Sequence, residues 1–130
     1  MIVGIGIDIV TIARFIPWTK KDHAQLLRVF TPGELEYCLA HATKSAERMA
    51  ARFAAKEAFY KAIGPLLPPT KIPPPFLTLC RKVEIYPCPF PQLRVLDPAI
   101  LGIFQNIQWH LSISHSEIAA IATVIVERVS

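Results

Sequence analysis

Two acidic residues in this 130-residue sequence stand in settings that could support chemistry. Asp8 follows Gly4 and Gly6 at two-residue spacing, so an extended strand would place all three on one face. That face is bare enough for a ligand or another backbone to approach closely. Glu57 lies in an alanine-rich stretch whose helical spacing puts it in an apolar arc, one turn before Lys61. A carboxylate in such a position needs a cation, because an unpaired buried charge is costly.

Two kinds of cation could satisfy Glu57. Lys61 could form an ordinary ion pair with it along the helix. Alternatively, Asp8 and Glu57 could together hold Mg²⁺, which commonly takes one or two protein carboxylates and fills its other positions with water and substrate phosphate. Lys61 would then stand beside the phosphate, an arrangement suited to phosphoryl chemistry. Since Asp8 could equally be a turn-forming residue at the end of a terminal strand, the spacing leaves both interpretations open.

A third polar group lies near the end of the sequence. His110, Ser112 and Ser114 alternate along one face of a predicted strand, and His115 follows at the turn. Such a strip could line a phosphate or nucleotide pocket, or it could be the exposed edge of a sheet. The sequence contains no phosphate loop of the GxxxxGK type and no His/Cys cluster spaced for zinc.

The composition is that of a folded domain. Hydrophobic residues make up 52% of the sequence and charged residues 18%, which is too apolar for a disordered chain. Asp8, Arg14 and Glu117 interrupt the apolar runs before they reach the roughly 18–20 residues of a membrane span. The length predicts a single domain over residues 1–130.

Cysteine usage and the first residues predict a cytoplasmic protein. Cys38, Cys80 and Cys88 are odd in number and lack metal-type spacing, so we expect reduced thiols. Residues 1–10 are apolar but have no basic leader and no small-residue cleavage site, which argues against a signal peptide.

The formal net charge of +4 is unevenly distributed. Residues 14–61 hold nine of the fourteen Lys and Arg residues but only five of the ten Asp and Glu residues. A basic sector of this kind suits an anionic partner such as nucleic acid, a phosphorylated ligand or an acidic protein, although it could also be an ordinary solvated surface.

The elements that must position these residues begin with a strand over 2–12 and a short helix over 20–29. A second helix is expected from the capping box Thr31-Pro32-Gly33-Glu34 to about residue 41. The clearest helix runs over 45–63, where seven alanines are followed by the stop signal Gly64-Pro65.

The second half of the chain is rich in proline. Nine of the twelve prolines lie between residues 65 and 91, and the first six predict a stiff, irregular loop over 65–75 that joins parts of one fold. The remaining predicted elements are strands over 77–86 and 93–96 around a turn at 87–89, a helix over 98–105, and strands over 109–114 and 118–127. The last strand is apolar on both faces, which predicts a central position in its sheet.

Three blocks of the sequence closely resemble the bacterial holo-acyl-carrier-protein synthases, the small phosphopantetheinyl transferases. The blocks are Gly4-Ile-Gly-Ile-Asp8-Ile-Val, Arg52-Phe-Ala-Ala-Lys-Glu57-Ala-Phe-Tyr-Lys61-Ala-Ile-Gly64, and His110-Leu-Ser-Ile-Ser-His115. They occur in the family's order and spacing and together span nearly the whole chain. Two segments differ from the family, because prolines over 65–75 replace a glycine-containing loop and Pro89-Phe-Pro91 replaces a G-x-P hairpin.

The resemblance implies an α+β fold in which a small antiparallel sheet wraps around a long helix, assembled as a homotrimer with coenzyme A at the subunit interfaces. It implies that Asp8 and Glu57 bind Mg²⁺ and that Lys61 lies near the pyrophosphate, the three together forming the catalytic set. Further residues are carried into the coenzyme pocket: Arg52, His110, Ser112, Ser114 and His115.

The implied reaction transfers 4′-phosphopantetheine from coenzyme A to a serine of acyl carrier protein, serving fatty acid biosynthesis. The serine hydroxyl attacks the β-phosphate of coenzyme A and 3′,5′-ADP leaves, with Glu57 taking the serine proton directly or through a metal-bound water. Arg14 is expected to help dock the acidic carrier protein, and three residues of the basic first helix would steer it: Lys20, Lys21 and Arg28.

Two other functions would use the same residues. A Mg²⁺-dependent nucleotide phosphohydrolase would employ the same carboxylates and release phosphate without a protein acceptor. A non-catalytic basic module would bind nucleic acid, but the aromatic residues do not interleave with the basic ones as a stacking surface needs. We therefore expect neither nucleic acid nor membrane as a partner.

Overall fold

A nineteen-residue helix, α3 (Ser45–Ile63), lies at the centre of the fold. The structure, a computed structural model, describes residues 1–70, 73–87 and 89–130. Most of α3 is buried, and its alanines let neighbouring backbones come close because their side chains are short. The bounds predicted from the sequence are confirmed.

A three-stranded antiparallel sheet packs against α3. Its strands are β1 (Ile2–Thr11), β4 (Ile107–His115) and β5 (Ala119–Arg128), in the order β1-β5-β4. The predicted central position of the last strand is therefore confirmed, as are both outer strands within two or three residues of their predicted ends. Alternate residues of β5 are buried against the helix, which is how an antiparallel sheet covers a core on one face.

Strand β1 approaches α3 at backbone distance. A Cβ atom built on Gly6 would overlap the carbonyl oxygen of Ala58, and one built on Gly4 would overlap that of Ala62. The bare strand face predicted from the sequence thus lies against the helix. This close contact brings Asp8, which follows on the same face, to the side of α3.

The remaining elements are short. They are α1 (His23–Leu26), α2 (Pro32–Leu39), α4 (Phe76–Cys80), the antiparallel hairpin of β2 (Val83–Tyr86) with β3 (Gln92–Val95), and α5 (Pro98–Ile103). The hairpin is joined to the main sheet where Trp109 Nε1 donates a hydrogen bond to the Leu93 carbonyl at 2.8 Å. The fold class expected from the resemblance, α+β with a small antiparallel sheet against a long helix, is confirmed.

Two sequence predictions about secondary structure are wrong. The helix expected over 20–29 is a 3₁₀ turn at Pro17–Lys20 followed by the four-residue α1, because Asp22 adopts an extended backbone and caps a new helix through Gln25 N. The strand expected over 77–86 begins only at Val83. Residues before it form α4, which starts directly after Pro75, and proline favours a helix start.

The capping box at the start of α2 is confirmed, since Thr31 and Glu34 exchange side-chain-to-backbone hydrogen bonds. Two expectations fall partly outside the described residues: the irregular loop over 65–75 and the turn at 87–89 that contains Cys88. Of the thiols, Cys38 and Cys80 are free and buried, and burial raises the pKa of each to about 12. In the part of the chain that the structure describes, no helix combines the length and apolar character needed to cross a bilayer.

Candidate functional site

The first cluster of site residues forms where β1 crosses α3. Lys61 Nζ lies 3.1 Å from Asp8 Oδ1 and also donates to the Ile7 carbonyl at 3.0 Å. The Asp8 side chain is only 16% exposed. The ion pair along the helix between Lys61 and Glu57, one of the two alternatives, is not formed, because the strand offers Lys61 a carboxylate of its own.

Glu57 lies half-buried beside this pair. Among the described residues it forms neither a hydrogen bond nor an ion pair. Its pKa is raised, first because burial removes water from the carboxylate and then because the negative charge of Asp8 repels it; Lys61 and Arg14 act in the opposite direction. The two carboxylates therefore lie close enough for their charges to repel each other, which sequence spacing alone could not show.

The donor set fits a hard divalent cation. Asp8 and Glu57 offer carboxylate oxygens, the ligands that Mg²⁺ prefers, and the unpaired, destabilised charge of Glu57 is what a cation would relieve. Over residues 1–70, 73–87 and 89–130, no group of three or more His, Cys, Asp or Glu residues could hold a metal ion. An ion at this point would therefore depend on water and substrate oxygens for its other ligands.

A second cluster lines a cavity of about 300 Å³ on another side of α3. Arg52 is only 4% exposed, and its Nε is buried without a hydrogen-bond partner in the described residues. The guanidinium carbons of Arg48 and Arg52 lie 4.0 and 4.2 Å from the centre of the Tyr37 ring. Arg48 also donates to the Tyr37 carbonyl at 2.8 Å, and Arg52 Nη1 donates to the Arg48 carbonyl at 3.4 Å.

The rim of this cavity is predominantly positive. His115 Nε2 lies 3.1 Å from Glu47 Oε1, and Lys44 also lines the opening. Three permanent cations, Lys44, Arg48 and Arg52, thus face one carboxylate. A buried guanidinium with an unused N–H in such a setting is suited to bind a multiply charged phosphate.

The structure does not bring the other predicted pocket residues to Arg52. His110, Ser112 and Ser114 point from β4 to the outer face of the sheet, whereas His115, at the end of the strand, lines the Arg52 cavity. His110 Nε2 lies within hydrogen-bond distance of Glu127 Oε1, at 2.8 Å. Within one copy of the chain, the polar strip and the Arg52 cavity are therefore separate features.

The predicted docking residues lie on exposed positions between β1 and α2. Arg14 stacks over Phe53 at 4.9 Å, Lys21 stacks over Trp18 at 4.3 Å, and Lys20 and Arg28 are also exposed. The charge of Arg14 lowers the pKa of Glu57. This basic surface therefore adjoins the carboxylate pair.

The sequence interpretation missed two features. Lys56, next to Glu57, is fully buried and forms an ion pair with Glu34 at 2.6 Å. Tyr37 was not assigned a role, although it holds both arginines. The four-residue spacing of Arg48 and Arg52 was a usable signal, because it places them on one helix face.

Comparison with known proteins points to one family. The sequence pattern of the 4′-phosphopantetheinyl transferase superfamily matches residues 4–124. A holo-[acyl-carrier-protein] synthase from Geotalea daltonii is 55% identical over 65 residues, 49% of this chain and 51% of that protein, so the chain spans about half the length of this curated relative. The Treponema denticola synthase is 35% identical over 129 residues, covering 98% of this chain and 99% of that protein.

The solved structure of Helicobacter pylori holo-[acyl-carrier-protein] synthase in complex with coenzyme A is also similar. Its TM-score is 0.66 at 32% identity, and the match covers 95% of this chain and 99% of that one. The chain therefore belongs to the 4′-phosphopantetheinyl transferase superfamily and, within it, to the holo-[acyl-carrier-protein] synthases.

Proposed function

We propose that this chain transfers 4′-phosphopantetheine from coenzyme A to a serine of acyl carrier protein and releases 3′,5′-ADP. The observation that carries the proposal is the arrangement of two carboxylates. Asp8 is paired with Lys61, and the charge of Asp8 raises the pKa of Glu57. Phosphoryl transfer needs little covalent chemistry from the protein and depends on positioning and charge.

Each charged cluster has a role in binding coenzyme A. The cavity around Arg52 and Arg48 takes the nucleotide end with its 3′-phosphate, since the unused N–H of Arg52 can bond a phosphate oxygen. Lys61 adds positive charge where the pyrophosphate lies near Asp8. Asp8 and Glu57 would hold Mg²⁺, which, when bound, neutralises negative charge on the pyrophosphate.

Glu57 takes the proton of the attacking serine in this proposal. The serine oxygen forms a bond to the β-phosphorus, the bond from that phosphorus to 3′,5′-ADP breaks, and the serine proton passes to the Glu57 carboxylate. Within the described residues, Glu57 forms no hydrogen bond or ion pair that would compete for that proton.

An assembly of three copies is part of the proposal. Ile5, Ile7 and Ile9 are 62%, 54% and 69% exposed on the outer face of β1, a row of large apolar side chains that water disfavours. Arg52 and Glu57 are five residues apart, about 140° around the helix axis, so one copy presents its two clusters in different directions. A neighbour seated on the outer face would bring His110, Ser112 and Ser114 into the coenzyme site.

The partner is an acidic carrier protein, docked on the basic surface of Arg14, Lys20, Lys21 and Arg28. We place the reaction in the cytoplasm, which suits the free thiols of Cys38 and Cys80.

The test is mass spectrometry of apo-acyl carrier protein incubated with coenzyme A, Mg²⁺ and this chain. We expect the carrier to gain one phosphopantetheine group and 3′,5′-ADP to appear in equal amount. Phosphate release from coenzyme A without any modified carrier would instead identify a nucleotide phosphohydrolase. An unchanged carrier with no nucleotide product would contradict both enzymatic functions.

A further inference from the structure

A fully buried ion pair connects α3 to the part of the chain that forms one wall of the Arg52 cavity. Lys56 is 0% exposed and Glu34 is 1% exposed. Lys56 Nζ donates to Glu34 Oε1 at 2.6 Å, to the Cys80 carbonyl at 2.7 Å and to the Val29 carbonyl at 2.8 Å. All three ammonium protons are used.

Glu34 is equally well satisfied. Its Oε1 also accepts from Thr31 N at 2.8 Å, and its Oε2 accepts from Ile85 N in β2 at 2.8 Å. Thr31 Oγ1 adds a second connection to the same strand by donating to Glu84 Oε2 at 2.7 Å. One pair thus fixes α3, the start of α2, the end of α4 and strand β2 relative to one another.

Stability alone does not account for this pair. Replacing a buried ion pair by apolar residues of similar size is often neutral or stabilising, so a gain in stability is a weak explanation for the pair. The alanine-rich surroundings of Lys56 offer enough apolar neighbours for such a replacement. The position of the Glu34–Lys56 pair indicates which parts of the fold it arranges.

The pair connects α3 to the β2–β3 hairpin, and both of these elements contribute residues to the cavity lining. Arg52 is one helical turn before Lys56 on nearly the same face of α3, and it lines one wall. Pro87 and Pro91, at the ends of the connection between β2 and β3, form the hairpin wall of the same cavity. Because Ile85 N is bonded to Glu34, the position of this hairpin follows that of Lys56.

We infer that Glu34 and Lys56 are a positioning pair, which sets the separation of the two cavity walls and thereby the affinity for the nucleotide end of coenzyme A. This inference rests on the proposed function for the identity of the ligand. The pair touches neither the substrate nor the reacting atoms, so it acts through Arg52 and the hairpin.

The test is the double variant Glu34→Leu/Lys56→Met, which replaces the pair without leaving one charge unpaired. Binding of 3′,5′-ADP is measured by calorimetry in EDTA, and KM for coenzyme A and kcat are measured in the transfer assay. A misplaced wall should raise both the Kd and the KM about tenfold while kcat changes less than about threefold. A folded double variant with unchanged Kd and KM would overturn the inference.

A matched control separates positioning from lost stability. Val124→Ala removes buried volume from β5 in the main sheet and should lower the unfolding midpoint while leaving the Kd for 3′,5′-ADP unchanged. If Val124→Ala weakens nucleotide binding as much as the double variant does, the pair has no special role and the inference fails.

A milder substitution covers the case in which the double variant does not fold. Thr31→Val removes the hydroxyl that accepts from Glu34 N and donates to Glu84, whereas Thr31→Ser retains it. Thr31→Val should raise the Kd for 3′,5′-ADP about threefold and Thr31→Ser should leave it unchanged. Equal Kd values for the two variants would contradict the inference. A wild-type chain that binds 3′,5′-ADP but transfers nothing would contradict the proposed function. The comparison of Kd values for 3′,5′-ADP would still test the positioning pair.

Discussion

Lys61 is paired with Asp8 of the neighbouring strand at 3.1 Å, and not with Glu57, which lies one turn before it on the same helix. The pair joins β1 to α3 near Glu57, whose pKa is raised in part by the charge of Asp8. Because Lys61 pairs with Asp8, no ion pair within the described residues balances the charge of Glu57. The same lysine side chain is 51% exposed, so it remains accessible to a phosphate.

Removing the Lys61 charge should slow transfer. We expect Lys61→Gln to lower kcat about 10- to 100-fold, because one positive group beside the pyrophosphate is lost while the fold is kept. The measurement is the initial rate of carrier modification at saturating coenzyme A and Mg²⁺. Lys82→Gln is the control, since Lys82 forms a surface ion pair with Asp97 at 3.0 Å in another part of the fold. Comparable losses in both variants would remove Lys61 from the site.

Glu57→Gln should abolish transfer and yet stabilise the metal-free protein at neutral pH. The folded-state pKa of Glu57 is raised, so its contribution to stability is fully present below the ordinary glutamate range and is lost as pH rises through the folded value. Glu57→Gln has no carboxylate to ionise and therefore does not lose this stability as the pH rises. We expect its Tm to exceed that of wild type by about 2 °C at pH 7 and to match it near pH 4, because the carboxylate is partly solvated.

Adding Mg²⁺ without substrate should reverse the order of the two Tm values, so that the wild type unfolds at the higher temperature. At several millimolar Mg²⁺ the Tm of the wild type should rise, since binding to the folded state stabilises it, whereas Glu57→Gln and Asp8→Asn should respond little. Thermal unfolding with and without EDTA measures both effects. Equal Mg²⁺ responses in all three proteins would place the ion elsewhere.

Gly6→Ala should separate β1 from α3. The added methyl group would overlap the Ala58 carbonyl oxygen, which belongs to helix backbone and cannot rotate away. We expect a loss of about 3 kcal/mol in the free energy of unfolding and a large fall in activity as Asp8 moves from Glu57. Gly102→Ala is the control, because nothing lies within 4 Å of its Cβ position. Urea unfolding measures the free energy of unfolding of both variants. A fully stable, active Gly6→Ala protein would disprove the close approach of β1 to α3.

Arg52→Gln should weaken binding of the nucleotide end of coenzyme A. The KM for coenzyme A should rise about tenfold or more, and the KM for dephospho-coenzyme A, which has no 3′-phosphate, should rise less. Steady-state kinetics with both substrates measure the difference. Arg81→Gln, an exposed arginine outside the cavity, should change neither value. Parallel increases for both substrates would remove the 3′-phosphate from this cavity.

Charge reversal at the basic surface should affect the carrier protein alone. We expect Arg14→Glu and Arg28→Glu to raise the KM for acyl carrier protein about tenfold and to flatten its salt dependence, while binding of 3′,5′-ADP stays unchanged. Arg81→Glu provides a matched reversal away from this surface. If it raises the carrier KM to the same extent, net charge rather than a defined docking surface governs association.

Long, strongly patterned elements could be predicted from the sequence. Strand β1, helix α3 and strand β5 follow directly from alternation, alanine content and apolar character, and their bounds agree with the structure within two residues. The short segments could not be predicted in this way. Four- or five-residue helices such as α1 and α4 carry too little periodic signal, and neighbouring caps and prolines decide their form.

The site was predictable in its residue types but not in its pairings. Asp8, Glu57 and Lys61 were identified from local spacing, yet local spacing favoured a partner for Lys61 on its own helix. The observed partner is 53 residues away in the sequence. Lys56 was missed for the same reason, because its carboxylate partner Glu34 comes from a helix 22 residues earlier.

The pairing of β1 with β5 has a consequence for protein synthesis. Residues Ile2–Thr11 pair with residues Ala119–Glu127, so the sheet partner of β1 is synthesised long after β1 itself. Asp8 therefore leaves the ribosome well before β5, the strand that completes the sheet around it. Nascent chains that have not yet reached β5 would carry every acidic and basic group of the carboxylate cluster and still have no assembled centre to act on a carrier.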